Sequence, residues 1–241
     1  MAKGEAERPT AREGVLYFGR VAAGLSHELS NVLNIINELA GLQRDIAAAA
    51  VEGGGDARFA RFSDLAQRIK AQVTRGEAIN RGLHRFAHSV DNADTSFDLG
   101  ELLGLLAFLE ERPARLARVA LDVLPPERGL ALCGDPFSLL LALHACVGAA
   151  LRACAEDGRV EVRAEAGDGG ARIRVTATGS LPAGGADAVS AAAFRAGAAA
   201  WGAAVCLDPG ADARRSLVLS VPAVAAARDA AGTADPSLEV P

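Results

Sequence analysis

An apolar heptad near the N-terminus constrains the fold of this chain more than any other feature. Apolar side chains recur at alternating steps of three and four, and Gln43 alone interrupts the series: Ala22, Leu25, Leu29, Val32, Ile36, Leu39 and Ile46. These are the steps of the a and d positions of a coiled coil. The pattern predicts a long helix from about Gly14 to Ala50, which the glycine-rich stretch that follows would end.

A second amphipathic pattern follows that glycine-rich stretch. Its apolar residues are predicted to share one side of a helix: Phe62, Leu65, Ile69, Val73, Ile79, Leu83 and Phe86. Two long helices joined by a short loop predict an antiparallel hairpin over residues 14–92. Because a hairpin buries only one stripe of each helix, we expect two copies to pair as a four-helix bundle and form a homodimer.

The heptad places His27 at the f position, which lies farthest from the packed seam. Asn31, Asn34 and Glu38 follow at steps of four, three and four, so they share its outer face. An exposed imidazole beside a carboxylate such as Glu28 can act as a nucleophile, because the carboxylate takes one ring proton while the other nitrogen attacks. The same pattern also fits a surface histidine on a solvated helix face.

Composition and charge exclude several classes of function. Lys and Arg number 25 against 30 Asp and Glu, which gives no basic surface for nucleic acid. The first residues lack an apolar signal region and no run of eighteen apolar residues occurs, so we predict a cytoplasmic protein without membrane contact. Residues 1–13 and 223–241 are predicted to be flexible. The four cysteines, Cys133, Cys146, Cys154 and Cys206, form no CxxC pair and are predicted to be buried, reduced thiols.

His84 and His88 lie four residues apart on the second predicted helix, a spacing that can chelate a metal ion. The sequence offers no third ligand nearby. We therefore predict neither a metal site nor a cofactor bound by this chain.

The second half of the chain, residues 93–222, predicts an α+β domain. A helix from Leu99 to about Glu111 precedes two short strands, and Asp135 is placed to cap the next helix. Two stretches of alternating apolar residues follow as hairpins, with a short helix between them. Strands interleaved with helices predict a layer of helices on one face of a mixed sheet.

The order of a helical hairpin and such a domain resembles the transmitter core of bacterial histidine kinases over roughly residues 14–222. The run His27-Glu28-Leu29-Ser30-Asn31 resembles the H-box of that family, with Val32 where the family usually has proline. The resemblance implies that His27 is the phospho-acceptor, Glu28 the general base, and Asn31 the residue that orients water for dephosphorylating a partner. It also implies that Ser30, Asn34 and Glu38 contact a partner protein.

The second half is similar to the ATP-binding domain of these kinases, but its ligand residues are missing. Gly148 stands where an asparagine binds Mg²⁺, and His144 where a second asparagine precedes it. Ala177 stands where an aspartate accepts the adenine amino group. Only 23 positions separate Gly179 from Gly202, about half the usual interval, so the ATP lid is predicted to be deleted; residues 187–190, DAVS, stand where a glycine-rich phosphate loop is expected.

These departures favour a histidine phosphotransferase that relays phosphoryl groups between receiver-domain aspartates through His27. The receiver domain of the response-regulator partner would supply the Mg²⁺. Two alternatives stay open: a sensor kinase core with an atypical nucleotide site, and a non-catalytic pseudokinase that binds a response regulator or a kinase. Nucleotide binding separates the kinase from the other two, and phosphate on His27 separates the phosphotransferase from the pseudokinase.

Overall fold

Two compact units make up the chain, one of helices within Thr10–Asp91 and one of helices and strands within Asn92–Pro241. The computed structural model describes residues 11–50, 55–91, 95–167, 170–178, 201, 203–208 and 216–222. In the helical unit, α1 spans Ala11–Ala50 and α2 spans Gly55–His88. The first helix thus begins three residues before its predicted start and ends where the sequence predicts.

The two helices form the predicted antiparallel hairpin. Tyr17, near the start of α1, packs edge-on against Phe86, near the end of α2, with ring centroids 5.6 Å apart. In the middle, a Cβ at Gly76 would stand 3.3 Å from a methyl group of Val32. Because Gly76 has no side chain, the two helices can approach each other closely at Val32.

The two heptad positions differ in how far the hairpin covers them. The d residues Leu25, Val32 and Leu39 are buried, whereas the a residues Leu29 and Ile36 are only half-buried. A single partner helix covers one narrow stripe of a helix surface. The a stripe of α1 therefore keeps apolar surface open within one chain.

The predicted apolar side of α2 is only partly buried. Leu65, Ile79 and Phe86 are buried, but Phe62 and Val73 are 40% and 44% exposed. Within one chain, α1 therefore covers only part of the apolar side of α2, as expected for a hairpin that buries one stripe of each helix.

The α/β unit contains a five-stranded mixed sheet with the order β2-β4-β5-β7-β6. The strands are β2 Ala120–Leu124, β4 Arg159–Gly167, β5 Gly170–Ala177, β6 Ala204–Asp208 and β7 Ser216–Pro222. β2 runs parallel to β4, and the remaining pairs are antiparallel. This confirms the α+β class and both predicted hairpins.

The two central strands alternate as the sequence predicts. One of their faces is apolar and buried: Val160, Val162, Ala164, Ile173, Val175 and Ala177. The opposite face carries exposed charges, among them Arg163 and Arg172. The apolar face contacts α4, which spans Pro136–Ala153, while α3, Leu99–Leu116, lies beside α4 and β2.

Helix α4 is the apolar centre of this unit. Asp135 caps it as predicted: its Oδ1 accepts hydrogen bonds from the backbone N–H groups of Phe137 (3.0 Å) and Ser138 (3.2 Å). By length and composition the helix could cross a membrane, but 67% of it is buried inside the protein. That burial is typical of the core helix of a globular domain.

A small antiparallel pair of strands, β1 Thr95–Asp98 and β3 Ala131–Gly134, stands apart from the main sheet. The sequence predicted β3 but not β1, whose four residues show too short an alternation. Asp98 ends β1 and caps α3, because its Oδ1 accepts a hydrogen bond of 3.0 Å from the Glu101 N–H. The helix α3 then runs five residues beyond its predicted end, through Pro113.

The cysteines agree with prediction in part. Cys146 is buried, and burial raises the pKa of its thiol to about 12. Cys133 and Cys154 are free thiols as predicted but half-buried, because they lie at the ends of β3 and α4. The Cys206 side chain, the short helix predicted between the hairpins and the tail after Pro222 lie outside the described residues.

Candidate functional site

His27 lies near the middle of α1 and is exposed, as the heptad predicts. The buried residues Leu25 and Val32 flank it in sequence and turn toward α2. Helical periodicity then directs His27 to the opposite side, toward solvent. The imidazole is thus held on a rigid element and is open to a protein that docks on this face.

Glu28 turns away from that outer face and toward α2. Its side chain is 17% exposed, and its Oε2 lies 3.9 Å from a guanidinium nitrogen of Arg75. Because successive residues of a helix diverge by about 100°, Glu28 stands beside His27 at the edge between the helices. Arg75 was not predicted as a site residue, since it lies 47 positions away and only the packing of the hairpin brings it here.

The polar stripe extends from His27 along the outer face of α1. Asn31, Asn34 and Glu38 are all exposed, and so is Ser30. The Ser30 hydroxyl donates a hydrogen bond of 3.0 Å to the carbonyl oxygen of Ser26, one turn earlier in the helix. The stripe therefore presents two amides and a carboxylate to solvent, with the Ser30 hydroxyl held against the helix backbone.

In the α/β unit, His144 is not arranged as a metal ligand. Its Nδ1 pairs with Oε1 of Glu110, a residue of α3 that is 1% exposed. The other carboxylate oxygen of Glu110 is buried and has no hydrogen-bond partner among the described residues. The His144 side chain itself is 28% exposed. The imidazole is engaged in an internal pair that the sequence did not reveal.

Gly148 lies one turn after His144 on α4 and is half-buried. A Cβ at this position would stand 3.4 Å from a guanidinium nitrogen of Arg152. Glycine supplies no side-chain oxygen, and a guanidinium group near this position disfavours a divalent cation. The side chains around Gly148 therefore offer no carboxylate or amide ligand of the kind that Mg²⁺ prefers.

Ala177 ends β5 and is fully buried. Its methyl side chain offers no acceptor for the amino group of a base. The next residue, Thr178, uses its hydroxyl within the protein, where its Oγ1 accepts a hydrogen bond of 2.6 Å from the Arg159 N–H. This end of the sheet is thus closed by packing and by backbone hydrogen bonds.

Trp201 also packs inside the α/β unit, where it is 3% exposed. Its indole N–H donates a hydrogen bond of 2.7 Å to the carbonyl oxygen of Asp135. Gly134 makes room for the ring, since a Cβ there would lie 2.7 Å from it, and its φ of +149° also favours glycine. Gly179, Gly202 and the predicted positions of the phosphate loop and lid lie outside the described residues.

No protein-family model matches the chain, and no curated protein matches it. Solved structures of histidine kinase domains do. A nucleotide-free catalytic domain of histidine kinase ThkA is 16% identical and covers 55% of this chain and 98% of its own, with a TM-score of 0.48. The Acinetobacter baumannii histidine kinase AdeS is 11% identical and covers 78% and 96%, with a TM-score of 0.47. ThkA in complex with the response regulator TrrA is 15% identical and covers 88% and 64%, with a TM-score of 0.47.

Proposed function

We propose that this chain is a cytoplasmic histidine phosphotransferase of a two-component phosphorelay, in which His27 carries the phosphoryl group between receiver-domain aspartates. The observation that carries the proposal is the exposure of His27 on the outer face of α1. Phosphoryl transfer depends mainly on positioning and charge neutralisation. A carrier therefore needs an accessible imidazole on a rigid element and a surface to which its partner can dock.

The reaction is a reversible exchange between nitrogen and oxygen. A lone pair on the neutral imidazole of His27 attacks the phosphorus of an aspartyl phosphate on the receiver domain. The nitrogen–phosphorus bond forms as the phosphorus–oxygen bond to the aspartate breaks, and the aspartate leaves as a carboxylate. Transfer to a second receiver reverses these bonds. The Mg²⁺ that neutralises the phosphoryl oxygens would belong to the receiver domain.

Glu28 serves the imidazole in this proposal. As His27 attacks, positive charge develops on the ring, and a neighbouring carboxylate stabilises it or takes the proton of the other nitrogen. The ion pair with Arg75 gives the Glu28 carboxylate a partner on α2. We assign Arg75 as a positioning residue, which acts on His27 only through Glu28.

The polar stripe of α1 would receive the partner. Asn31 lies one turn after His27, where its amide can orient a water molecule toward an aspartyl phosphate and so support dephosphorylation of the partner. Ser30, Asn34 and Glu38 extend the exposed surface on either side. Of these we expect Asn34 and Glu38 to bind the receiver most directly, because the Ser30 hydroxyl is engaged with the helix backbone.

We propose a homodimer through the helical hairpin. Leu29 and Ile36 remain half-buried in one chain, and Leu33 and Leu42 are 54% and 50% exposed. On α2, Val73 is 44% exposed. A second hairpin would cover this apolar surface and leave the f position of His27 on the outside of a four-helix bundle.

The α/β unit supports a carrier over an ATP-dependent kinase. Arg152 lies beside Gly148, where a Mg²⁺ ligand would be needed, and His144 is paired with Glu110. Ala177 offers no acceptor to adenine. Each feature removes a different contact to Mg-ATP, so we expect the unit to keep the fold of an ATP-binding domain without its ligand.

The decisive experiment incubates the purified chain with receiver domains phosphorylated on aspartate. We expect an acid-labile phosphate to appear on the chain and to be absent from His27→Ala. His84→Ala is the matched control, since it removes another exposed histidine of the same unit and should be labelled like the parent chain. Labelling of His27→Ala would show that the nucleophile is misassigned, and no labelling of the parent would favour the pseudokinase.

Titration calorimetry with Mg-ATP separates the carrier from the kinase. We expect no measurable heat of binding. A micromolar dissociation constant, together with phosphate on His27 from ATP alone, would establish the kinase instead.

A further inference from the structure

The last turn of α2 brings two histidine rings together on an exposed face. His84 and His88 are four residues apart, and their Nε2 atoms lie 3.1 Å from each other. The ring centroids are 4.3 Å apart and the planes meet at 60°. The rings are therefore inclined to each other and do not meet end to end.

Asp91 fixes the orientation of the second ring. Its Oδ2 lies 2.5 Å from Nδ1 of His88. A carboxylate at this nitrogen holds the ring proton on Nδ1, so the lone pair of the His88 Nε2 accepts a hydrogen bond from the Nε2–H of His84. A metal ion would take the place of that shared proton, with the proton of His84 then carried on its Nδ1. In many protein metal sites, a histidine binds the ion through one ring nitrogen and donates a hydrogen bond to a carboxylate from the other.

The sequence alone predicted no metal site here, but the positions of the rings and of Asp91 change that expectation. We propose that His84 and His88 chelate a divalent transition-metal ion through their Nε2 atoms, with Asp91 orienting His88. An ion at about 2.0–2.1 Å from each nitrogen would subtend an angle of about 95–102°, given their separation of 3.1 Å. This angle lies between the right angle of octahedral or square-planar sites and the wider angle of tetrahedral ones. Imidazole pairs of this kind suit Cu²⁺, Ni²⁺ and Zn²⁺.

Solvent can complete the coordination. The side chains of His88 and Asp91 are 60% and 52% exposed, so water molecules can reach an ion held by the two rings. No group of three or more His, Cys, Asp or Glu that could hold a metal occurs in the part of the chain that the structure describes. The proposed site therefore has two histidine ligands. Asp91 would orient His88 and would not bind the ion itself.

The ion would link two successive turns at the end of α2. An ion that binds the helical form and not the frayed form stabilises that turn. His88 is the last residue of the helix, and the chain passes from the helical unit to the α/β unit within the next few residues. Metal binding would thus stabilise the last turn of α2 and fix the residue at which the helix ends. This effect does not depend on phosphate transfer at His27.

The test titrates the full chain, produced without an affinity tag, with Cu²⁺, Ni²⁺ and Zn²⁺ at neutral pH by calorimetry. We expect one ion per chain, with Cu²⁺ bound most tightly. His84→Ala and His88→Ala should each weaken binding by at least about 10-fold, and Asp91→Asn by about 10-fold. His27→Ala, which removes an exposed histidine elsewhere in the unit, should bind like the parent chain.

Melting followed by circular dichroism supplies a second measurement. Zn²⁺ should raise the melting temperature of the parent chain and should leave that of His84→Ala unchanged. The proposal is overturned if the parent chain binds no ion, or if His84→Ala and His88→Ala bind as tightly as the parent, which would mark an adventitious ion only. An unchanged affinity in Asp91→Asn would overturn the role of Asp91.

Discussion

Replacing His144 by leucine should destabilise the α/β unit by about 3 kcal/mol, because it leaves Glu110 buried without its partner. Glu110 is 1% exposed. Leaving a buried hydrogen-bonding group without its partner costs about 1–3 kcal/mol, and breaking a buried pair of charged groups costs about 3–5 kcal/mol. We take about 3 kcal/mol, where the two ranges meet, since His144 is 28% exposed and water can enter the space it vacates. A loss of this size is a large share of the ~5–15 kcal/mol that typically stabilises a domain.

The reverse substitution should cost less. Glu110→Leu leaves an imidazole that is partly exposed and can be hydrated, so we expect a loss of about 1 kcal/mol. The double variant with leucine at both positions should be close to the parent chain, because apolar pairs of similar volume commonly replace buried ion pairs without loss. The expected coupling between the two residues is therefore about 3 kcal/mol, which is the sum of the two single losses less a residual loss of about 1 kcal/mol in the double variant.

Urea unfolding followed by tryptophan fluorescence measures these energies in the full chain. Trp201 is the only tryptophan, and it is buried beside the cap of α4, so its emission reports on the α/β unit. Refutation would come from a His144→Leu variant that unfolds at the same urea concentration as Glu110→Leu. Strict additivity in the double variant would equally show that the pair contributes no coupling.

Three further predictions concern other parts of the chain. Arg75→Ala should slow phosphate uptake from a receiver several-fold without abolishing it, while Arg75→Lys restores most of the rate; equal rates in all three would remove Arg75 from the site. Leu29→Lys combined with Ile36→Lys should give monomers or unfolded protein in light scattering, and an intact dimer would contradict the proposed interface. Burial raises the pKa of the Cys146 thiol from 9.0 to about 12, so its contribution to stability is complete below about pH 9 and is lost as the pH rises toward 12. Unfolding at pH 8 and pH 10 should thus differ by about 1.4 kcal/mol more in the parent chain than in Cys146→Ala; equal differences would contradict this account.

The outward face of α1 could be predicted because it depends on local periodicity alone. The heptad fixes which residues turn toward α2, and the exposure of His27 follows from the same count. The burial of Leu25 and Val32 beneath it confirms the pattern. How far the partner helix covers each stripe depends on helix packing, so the exposed fraction of Val73 could not be read from the sequence.

The contacts that modify the site could not be predicted, because they join residues distant in sequence. Arg75 meets Glu28 only through the hairpin, and Glu110 meets His144 only through the packing of α3 on α4. In the sequence both look like ordinary charged residues on a helix. The sequence around a glutamate on an amphipathic helix does not show whether its carboxylate is buried or exposed, because that depends on which element packs against it.

The end of α3 shows a different limit. The sequence predicted a stop near Glu111, ahead of Pro113, yet the helix continues to Leu116. Proline removes one backbone donor and its ring crowds the carbonyl group four residues earlier, yet Ala114 beyond the proline is buried, which favours continuation of the helix. Tertiary burial thus overrides a local signal that is reliable at exposed helix ends.

The expectation that the α/β unit binds no Mg-ATP depends on three of its positions. Ala177 is buried at the end of β5, His144 is paired with Glu110, and Arg152 lies beside Gly148. These positions lie on two different elements, so we expect that restoring one of them alone would not create a nucleotide site. The proposed phosphate carrier, His27, belongs to the hairpin instead, and under this proposal the α/β unit would support or regulate it.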